Sequence, residues 1–255
     1  MGTVFTHDMW YWPAERMRTL HVYLPDGYED SDERYPVMYF FDERATYGKS
    51  WGLKSFLDQW EKPLIIVGME CSHEGDARLD EYCPYSRHMF GRDINAMGEQ
   101  TFQWIVNDVK GWADANLRTW AHREATGIGG SSMGGLMSLY GILAHNGVFS
   151  KAACLSTGVR VWGRELKREL RQATPDPDTR IYLSWGEYEA GHVRKGANPA
   201  TDSSEARAEL EYVNRLEAAG ATTYCYFQPE GRHCEACWEE QNGRYLDFLW
   251  LNRRW

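Results

Sequence analysis

The stretch that decides the fold is Gly127-Ile128-Gly129-Gly130-Ser131-Ser132-Met133-Gly134-Gly135. It predicts the end of a buried strand. The apolar positions after it recur at helical spacing and predict a helix that begins at once; they are Leu136, Leu139, Tyr140 and Leu143. The segment Gly130-x-Ser132-x-Gly134 between a strand and a helix is the pattern of a nucleophile elbow. The sharp turn leaves no room for side chains two residues to either side of Ser132, and it raises the Ser132 hydroxyl above the sheet edge.

We therefore predict that Ser132 is a nucleophile. The same geometry aims the backbone N–H of Met133, at the positive end of the new helix, toward the point that a reacting carbonyl oxygen would occupy. Met133 is the predicted first oxyanion donor.

Composition limits the classes of protein to which this chain can belong. A length of 255 residues allows one large α/β domain or two small ones. Because the sequence has no repeat, linker or low-complexity segment, we predict a single domain over residues 1–255. A net charge of −9 argues against nucleic-acid partners, whose phosphates require clustered Lys and Arg.

Localisation is predicted from three further features. No apolar run approaches the length of a membrane span, and Met1 to Tyr11 lacks the basic-then-apolar order of a signal peptide. The six cysteines are scattered among core-like segments of a chain large enough to fold without disulfides, so we expect reduced thiols. These features predict a cytoplasmic protein with no membrane partner.

Hydrophobic patterning predicts strands that alternate with helices, which indicates a mostly parallel central sheet with helices on both faces. The early strands, joined by short polar connections, are expected to begin the sheet antiparallel. The predicted strands are 17–24, 37–41, 63–69, 152–155, 180–185 and 222–227. The predicted helices are 52–60, one containing Phe102 to Trp112, 162–170, one opened by a capping box at Asp202-Ser203-Ser204-Glu205, and 235–250, with a loop over 70–95.

A serine hydroxyl needs a base to take its proton, and the base needs a carboxylate to orient it. In an open α/β sheet such groups gather at the carboxyl ends of the strands. His233, which follows the last strand through a short turn, is the predicted base. His192 is the nearest competitor, and His73 and His88 are candidates for lining the site.

The acid should follow the strand that ends at Trp185, which leaves Glu187 and Glu189. We choose Glu189 over Glu187. A carboxylate at this position would fix the tautomer of His233 and stabilise the imidazolium that forms when Ser132 attacks.

Three segments together resemble one family. Gly130-Ser131-Ser132-Met133-Gly134-Gly135, Ser184-Trp185-Gly186-Glu187-Tyr188-Glu189 and His233-Cys234-Glu235-Ala236-Cys237-Trp238 resemble the Putative esterase family of α/β-hydrolases. That family includes enterochelin-type esterases, S-formylglutathione hydrolase and feruloyl or acetyl xylan esterases. The resemblance runs from about Met17 to the C-terminus and implies the α/β-hydrolase fold. It also implies a Gly-x-x-Glu acid turn at Glu189 and a His-x-Glu-x-x-Trp segment from His233 to Trp238, and Arg78-x-x-Glu81-Tyr82-x-Pro84 matches a family loop near the site.

The sequence departs from the family at one loop. After the strand ending at Phe41, the family carries an Asp-Gly loop that supplies the second oxyanion donor, whereas this chain has Asp42-Glu43-Arg44-Ala45. Either a backbone N–H among Asp42 to Arg44 replaces that donor or the oxyanion hole is incomplete. Loss of one donor costs roughly 10²–10³ in rate.

We predict a serine carboxylic-ester hydrolase that acts on a small ester with no metal or organic cofactor. Three alternatives stay open: a metal or redox protein built on His233-Cys234-x-x-Cys237, a catalytically weak or dead binding protein on a hydrolase scaffold, and an acyltransferase that uses the same serine. The aromatic residues Trp51, Tyr82, Trp185 and Trp238 are candidates for stacking on a substrate, although core positions suit them better. The sequence does not determine the substrate or the oligomeric state, and a homo-oligomer is one of the possible states.

Overall fold

The structure of the protein is a computed structural model that describes residues 1–41, 52–89, 91–189, 193 and 195–250. Its main sheet has eight strands in the order β1-β2-β4-β3-β7-β8-β9-β10, and β5 pairs with β6 in a separate hairpin. The strands are β1 (Thr3–Tyr11), β2 (Arg16–Leu24), β3 (Val37–Phe41), β4 (Ile65–Met69), β5 (Arg87–Met89), β6 (Arg92–Ile94), β7 (Thr126–Ser131), β8 (Lys151–Leu155), β9 (Arg180–Gly186) and β10 (Thr222–Gln228).

Helices flank the sheet and connect its strands. They are α1 (Leu53–Leu57), α2 (Ala77–Glu81), α3 (Gly98–Trp104), α4 (Lys110–Asn116), α5 (Met133–Ala144), α6 (Val159–Gln172), α7 (Pro199–Asp202), α8 (Ser204–Ala218), α9 (Glu235–Glu239) and α10 (Asn242–Trp250). A π-helical segment, Ile105–Val109, joins α3 to α4, and short 3₁₀ turns occur at Trp12–Ala14, Arg123–Ala125 and Glu187–Glu189.

The strand directions confirm the predicted fold class. β1 pairs antiparallel with β2, and β2 pairs antiparallel with β4, so the sheet begins antiparallel as expected. The pairs β3–β4, β8–β9 and β9–β10 are parallel. Because parallel strands require crossover connections, the helices between them cover the faces of the sheet.

Two regions differ from the prediction. Strand β1 was not predicted because it is an edge strand: most of its side chains are exposed, and no apolar alternation marks its buried face. The predicted loop over 70–95 is wrong in part, since it contains the single-turn helix α2 and the hairpin β5–β6. Both are too short to show a period, and Gly91, with φ of 76°, lies in the hairpin turn.

Two helix boundaries also differ. The predicted helix 235–250 is split into α9 and α10 around Gln241, a buried residue whose side-chain amide hydrogen-bonds to Gln228 and Tyr182. The cap of α8 lies one residue later than expected, because the Ser203 hydroxyl accepts the N–H of Ala206 at 2.9 Å.

The chain divides into two compact units, Met1–Gly127 and Ile128–Trp255. In the second unit, every residue of β8 is buried, and α5 packs a nearly continuous buried surface against it. The proposed site residues all belong to this second unit. The single domain over residues 1–255 stays a prediction. No helix within the described ranges combines the length and apolar character needed to cross a membrane.

Candidate active site

The turn between β7 and α5 has the backbone geometry of a nucleophile elbow. Ser132 has φ of 55° and ψ of −121°, a left-handed conformation that non-glycine residues rarely adopt. Its N–H donates to the carbonyl of Leu155 at 2.9 Å, which ties the elbow to the end of β8. A Cβ at Gly130 would lie 2.8 Å from the backbone of Gly134, and one at Gly135 would lie 2.5 Å from the Leu155 oxygen. The glycines are therefore required by close backbone approach.

The imidazole of His233 lies between the other two predicted site residues. Its Nε2 is 2.8 Å from Ser132 Oγ, and its Nδ1 is in a short hydrogen bond with Glu189 Oε1. The His233 side chain is 51% exposed, whereas the Glu189 side chain is only 12% exposed. Hydroxyl, imidazole and carboxylate thus form one hydrogen-bonded chain whose carboxylate end is sheltered and whose imidazole is open to solvent.

The second oxygen of Glu189 is held by two donors. The N–H of Gly186 donates to Glu189 Oε2 at 2.6 Å, and the hydroxyl of Ser156 donates to the same oxygen at 2.9 Å. The indole N–H of Trp238 in turn donates to Ser156 Oγ at 2.8 Å, and its ring meets the His233 ring edge-on with centroids 5.0 Å apart. This network leaves Oε1 of Glu189 for His233.

The other candidate acid, Glu187, has a different partner. Its Oε2 accepts the N–H of Glu230 at 2.9 Å, and the N–H of Tyr188 donates to the carbonyl of Gly231 at 2.9 Å. A Cβ at Gly186 would lie 2.4 Å from that same Gly231 oxygen. Glu187 therefore braces the turn that leads to His233, and Glu189 is the carboxylate that touches the imidazole.

Two buried acids on α8 lie in the electrostatic surroundings of Glu189. Burial raises the pKa of Glu209 well above its usual range, reinforced by the negative charge of Glu205 and opposed by a hydrogen bond from Thr157. Burial also raises the pKa of Glu205, and its ion pair with Arg160 opposes that shift. Burial of Glu209 therefore favours the neutral form of its carboxyl group.

The oxyanion donors are described only in part. Met133 is the first residue of α5, and the first N–H groups of a helix have no acceptor within the helix, so its N–H is available to a substrate oxygen. The second donor, predicted among Asp42 to Arg44, falls outside the described residues.

The remaining candidate side chains fall into three groups. Among the aromatic residues, Tyr82, Trp185 and Trp238 are buried, which agrees with core positions. Two of the histidines have carboxylate neighbours in the first unit, His73 at 3.8 Å from Glu70 and His88 at 2.8 Å from Asp93. Trp51 and His192 lie outside the described residues.

The family-like loop residues are engaged within the first unit. Glu81 forms a buried ion pair with Arg18 and accepts the N–H of Ser72 at 2.8 Å. Tyr82 donates its hydroxyl to the carbonyl of Met69 at 3.1 Å, and the Arg78 guanidinium lies 5.6 Å from the Tyr82 ring centre.

The metal alternative requires a ligand set that the described part of the chain does not assemble. No group of three or more His, Cys, Asp or Glu side chains suited to a metal occurs among the described residues. His233 has both ring nitrogens engaged, so it could join Cys234 and Cys237 as a ligand only by leaving Ser132 or Glu189.

Ser156 is the main site residue that sequence reasoning missed. It follows β8 directly and has φ of 51°, so it presents its hydroxyl from a strained position. The only sequence signal for it is its place at the carboxyl end of a strand, which many polar residues share.

Comparisons with known proteins identify the family to which the chain belongs. A family model described as Putative esterase matches residues 14–241. The chain is 25% identical over 178 residues to Uncharacterized protein YbbA of Bacillus subtilis (strain 168), which covers 68% of this chain and 69% of that protein. It is 28% identical over 138 residues to Esterase Rv1288 of Mycobacterium tuberculosis (strain ATCC 25618 / H37Rv), covering 52% of this chain but 28% of that longer protein.

Solved structures share the fold at low identity. An IroE-like serine hydrolase from Shewanella oneidensis superposes with a TM-score of 0.77 at 16% identity, covering 96% of this chain and 79% of that one. The S-formylglutathione hydrolase FrmB from Staphylococcus aureus superposes with a TM-score of 0.68 at 15% identity, covering 98% and 96%.

Proposed function

We propose that this chain, which belongs to the Putative esterase family of carboxylic ester hydrolases, uses Ser132, His233 and Glu189 as a catalytic triad. Ser132 Oγ attacks the ester carbonyl while His233 Nε2 takes its proton, and Glu189 holds the Nδ1 proton and stabilises the imidazolium. The N–H of Met133 donates to the developing oxyanion. His233 then protonates the leaving alcohol, and water, activated by the same nitrogen, releases the acyl group from Ser132.

One observation carries this proposal. The imidazole of His233 has Ser132 Oγ at 2.8 Å from one nitrogen and a carboxylate against the other. A base held in this way has its acceptor nitrogen directed at the hydroxyl, which is the arrangement that makes a serine nucleophilic. The exposed side of the imidazole allows an alcohol to leave and water to enter.

The experiment uses a neighbouring serine as its control. A fluorophosphonate probe should label the wild-type protein and Ser131→Ala but not Ser132→Ala. On p-nitrophenyl acetate, Ser132→Ala and His233→Ala should each lower kcat by up to about 10⁶ for a fully working triad. Equal labelling of Ser132→Ala and wild type would place the nucleophile elsewhere.

The substrate is proposed only as a class. Proteins of similar fold include a ferulic acid esterase, a siderophore hydrolase and an S-formylglutathione hydrolase. We propose a small ester: an acyl sugar, a feruloyl or acetyl ester, or a siderophore-type lactone. A panel of acetylated sugars, feruloyl esters, siderophore lactones and thioesters, compared by kcat/KM, would choose among these classes.

A further inference from the structure

A pair of thiols lies beside the proposed base. Cys234 follows His233 directly and is the cap residue of α9, and Cys237 lies in the first turn of that helix. The N–H of Cys237 donates to the carbonyl of Cys234 at 3.2 Å, which closes one turn between the two residues, and Cys237 Sγ accepts the N–H of Arg232 at 3.2 Å. Both residues are half-buried free cysteines. The Cys-x-x-Cys segment therefore places two half-buried thiols on a single turn, at a sequence spacing that a disulfide can bridge.

The other four cysteines are poorly placed to react. Cys71, Cys83 and Cys154 are buried, and burial raises the pKa of the half-buried Cys225 to about 12. Because the thiolate is the reactive form, and because solvent must reach it, these four thiols should be inert under conditions that oxidise an accessible pair.

We propose that Cys234 and Cys237 are a redox modification site, in which a reversible disulfide between them switches off the hydrolase by displacing His233. The thiolate of Cys234 attacks one sulfur of a disulfide oxidant such as glutathione disulfide, forming a mixed disulfide and expelling one glutathione thiolate. The thiolate of Cys237 then attacks the Cys234 sulfur, forms the internal disulfide and expels the second glutathione thiolate. Two protein thiols are oxidised, one glutathione disulfide is reduced, and the two thiol protons pass to the two glutathione thiolates.

The order of attack follows from the surroundings of the two sulfurs. Burial raises the pKa of the Cys237 thiol, helped by the neighbouring Cys234 and opposed by the hydrogen bond from Arg232. Cys237 is therefore the resolving thiol, which reacts once the mixed disulfide on Cys234 has brought an electrophilic sulfur next to it.

Disulfide formation should affect catalysis because the two sulfur atoms lie in the turn next to His233. The sulfur atoms of the two free cysteines must close to about 2.0 Å to form a disulfide, so the turn at Cys234 has to move. His233 directly precedes Cys234 in the chain and is hydrogen-bonded to both Ser132 and Glu189. A shift of about 1 Å in a catalytic group can cost about 10² in rate. Oxidation should therefore lower kcat by about that factor, and reduction should restore it. This regulatory effect rests on the proposed esterase function, whereas the disulfide itself does not.

The test treats the 255-residue protein with glutathione disulfide and maps its peptides by mass spectrometry without reduction. We expect a Cys234–Cys237 disulfide, a loss of two hydrogen atoms, and a fall in p-nitrophenyl acetate turnover of about 10²-fold that dithiothreitol reverses. Cys234→Ser should keep its turnover under oxidation, and Cys225→Ser should respond like the wild type. Cys237→Ser lacks the resolving thiol, so its peptide map should show the Cys234–glutathione mixed disulfide in place of the internal one.

Three results would overturn parts of this inference. Absence of a Cys234–Cys237 disulfide at every glutathione ratio would remove the redox site. A disulfide that forms while turnover stays the same would remove the switch. Reduced wild-type protein with no esterase turnover would defeat the proposed function, and the peptide map would still decide whether the redox pair exists.

Discussion

Glu189 receives hydrogen bonds at both of its carboxylate oxygens, and these bonds fix which oxygen faces His233. Gly186 and Ser156 donate to Oε2, so Oε1 is left to accept the Nδ1 proton of His233. In that tautomer Nε2 carries no proton and is free to accept one from Ser132. The acceptor atom on Glu189 thus selects the tautomer of the proposed base.

Glu189→Gln should therefore nearly abolish turnover. The two donors on Oε2 require the amide oxygen at that position, which turns the amide NH₂ toward His233 Nδ1 and forces the proton onto Nε2. We expect kcat to fall by about 10⁴ with little change in KM, as for a base held in the wrong tautomer. Steady-state kinetics on p-nitrophenyl acetate measure both constants.

Glu187→Gln is the matched control for that substitution. Glu187 accepts the N–H of Glu230, and a glutamine oxygen can accept the same proton. Its kcat should stay near that of the wild-type protein. A larger loss in Glu187→Gln than in Glu189→Gln would show that the acid is assigned to the wrong residue.

At the scale of secondary-structure elements, the elbow depends on how closely α5 approaches β8. Gly135, in the first turn of α5, allows this approach because it has no Cβ to meet the Leu155 carbonyl, which is also the acceptor for the Ser132 N–H. A helix that approached less closely would lose the contact that positions the nucleophile.

Gly135→Ala should both destabilise the protein and lower kcat. A methyl group 2.5 Å from the Leu155 oxygen has to displace backbone, and overpacking of this kind costs about 1–3 kcal/mol. Gly163→Ala is the control, because Gly163 lies inside α6 with open space at its Cβ position. That change should stabilise the protein by about 0.5–1 kcal/mol through helix propensity. Urea unfolding midpoints and kcat for the two variants test this contrast, and equal effects would contradict it.

The elements differ in how well their own residues predict them. Continuous apolar runs predict β3 and β8, and helical spacing predicts the α5 and α6 helices, because burial on one or both faces leaves a period in the sequence. Strand β1 is an exposed edge strand whose residues bury little surface. Its pairing with β2 stabilises it, and its own sequence carries no apolar period that would predict it. The division of α9 from α10 depends on contacts from Gln241 to other elements, which no local pattern records.

At the scale of the whole molecule, one buried acid links global stability to pH. Burial raises the pKa of Glu209 well above its usual value, so folding favours the protonated form of its carboxyl group relative to the unfolded chain. The stabilisation from this proton is fully present below the unfolded glutamate pKa of about 4.3, and it is lost as the pH rises toward the folded-state pKa. Glu205, Glu189 and Arg160 are the charged groups around this part of α8.

Glu209→Gln should remove that pH dependence. The difference in free energy of unfolding between Glu209→Gln and wild type should move in favour of the variant from about pH 5 to about pH 8, by at most about 1.4 kcal/mol per pH unit. Urea unfolding at several pH values measures it.

Glu211→Gln, on the same helix, is the control for that series. Hydrogen bonds from Lys167 and Arg215 lower the pKa of the exposed Glu211, so its contribution is present at neutral pH and is lost as the pH falls. The difference for Glu211→Gln should therefore stay nearly constant from about pH 5 to about pH 8 and should change only below about pH 4.3. A flat difference for Glu209→Gln across this range would mean that Glu209 is ionised in the folded protein.

The sequence by itself determined the elbow, the fold class and the neighbourhood of each site residue. These features are local: glycine spacing around Ser132 records steric limits within one turn, and apolar periods record burial of each element. Only the tertiary structure decided which carboxylate meets His233 and which hydroxyl supports it. Glu187 and Glu189 both follow β9, but a 3₁₀ turn separates side chains two residues apart by about 240°, so one braces a turn and the other faces the imidazole. Ser156 comes from another strand end, and no local pattern encodes contacts between residues so far apart in the chain.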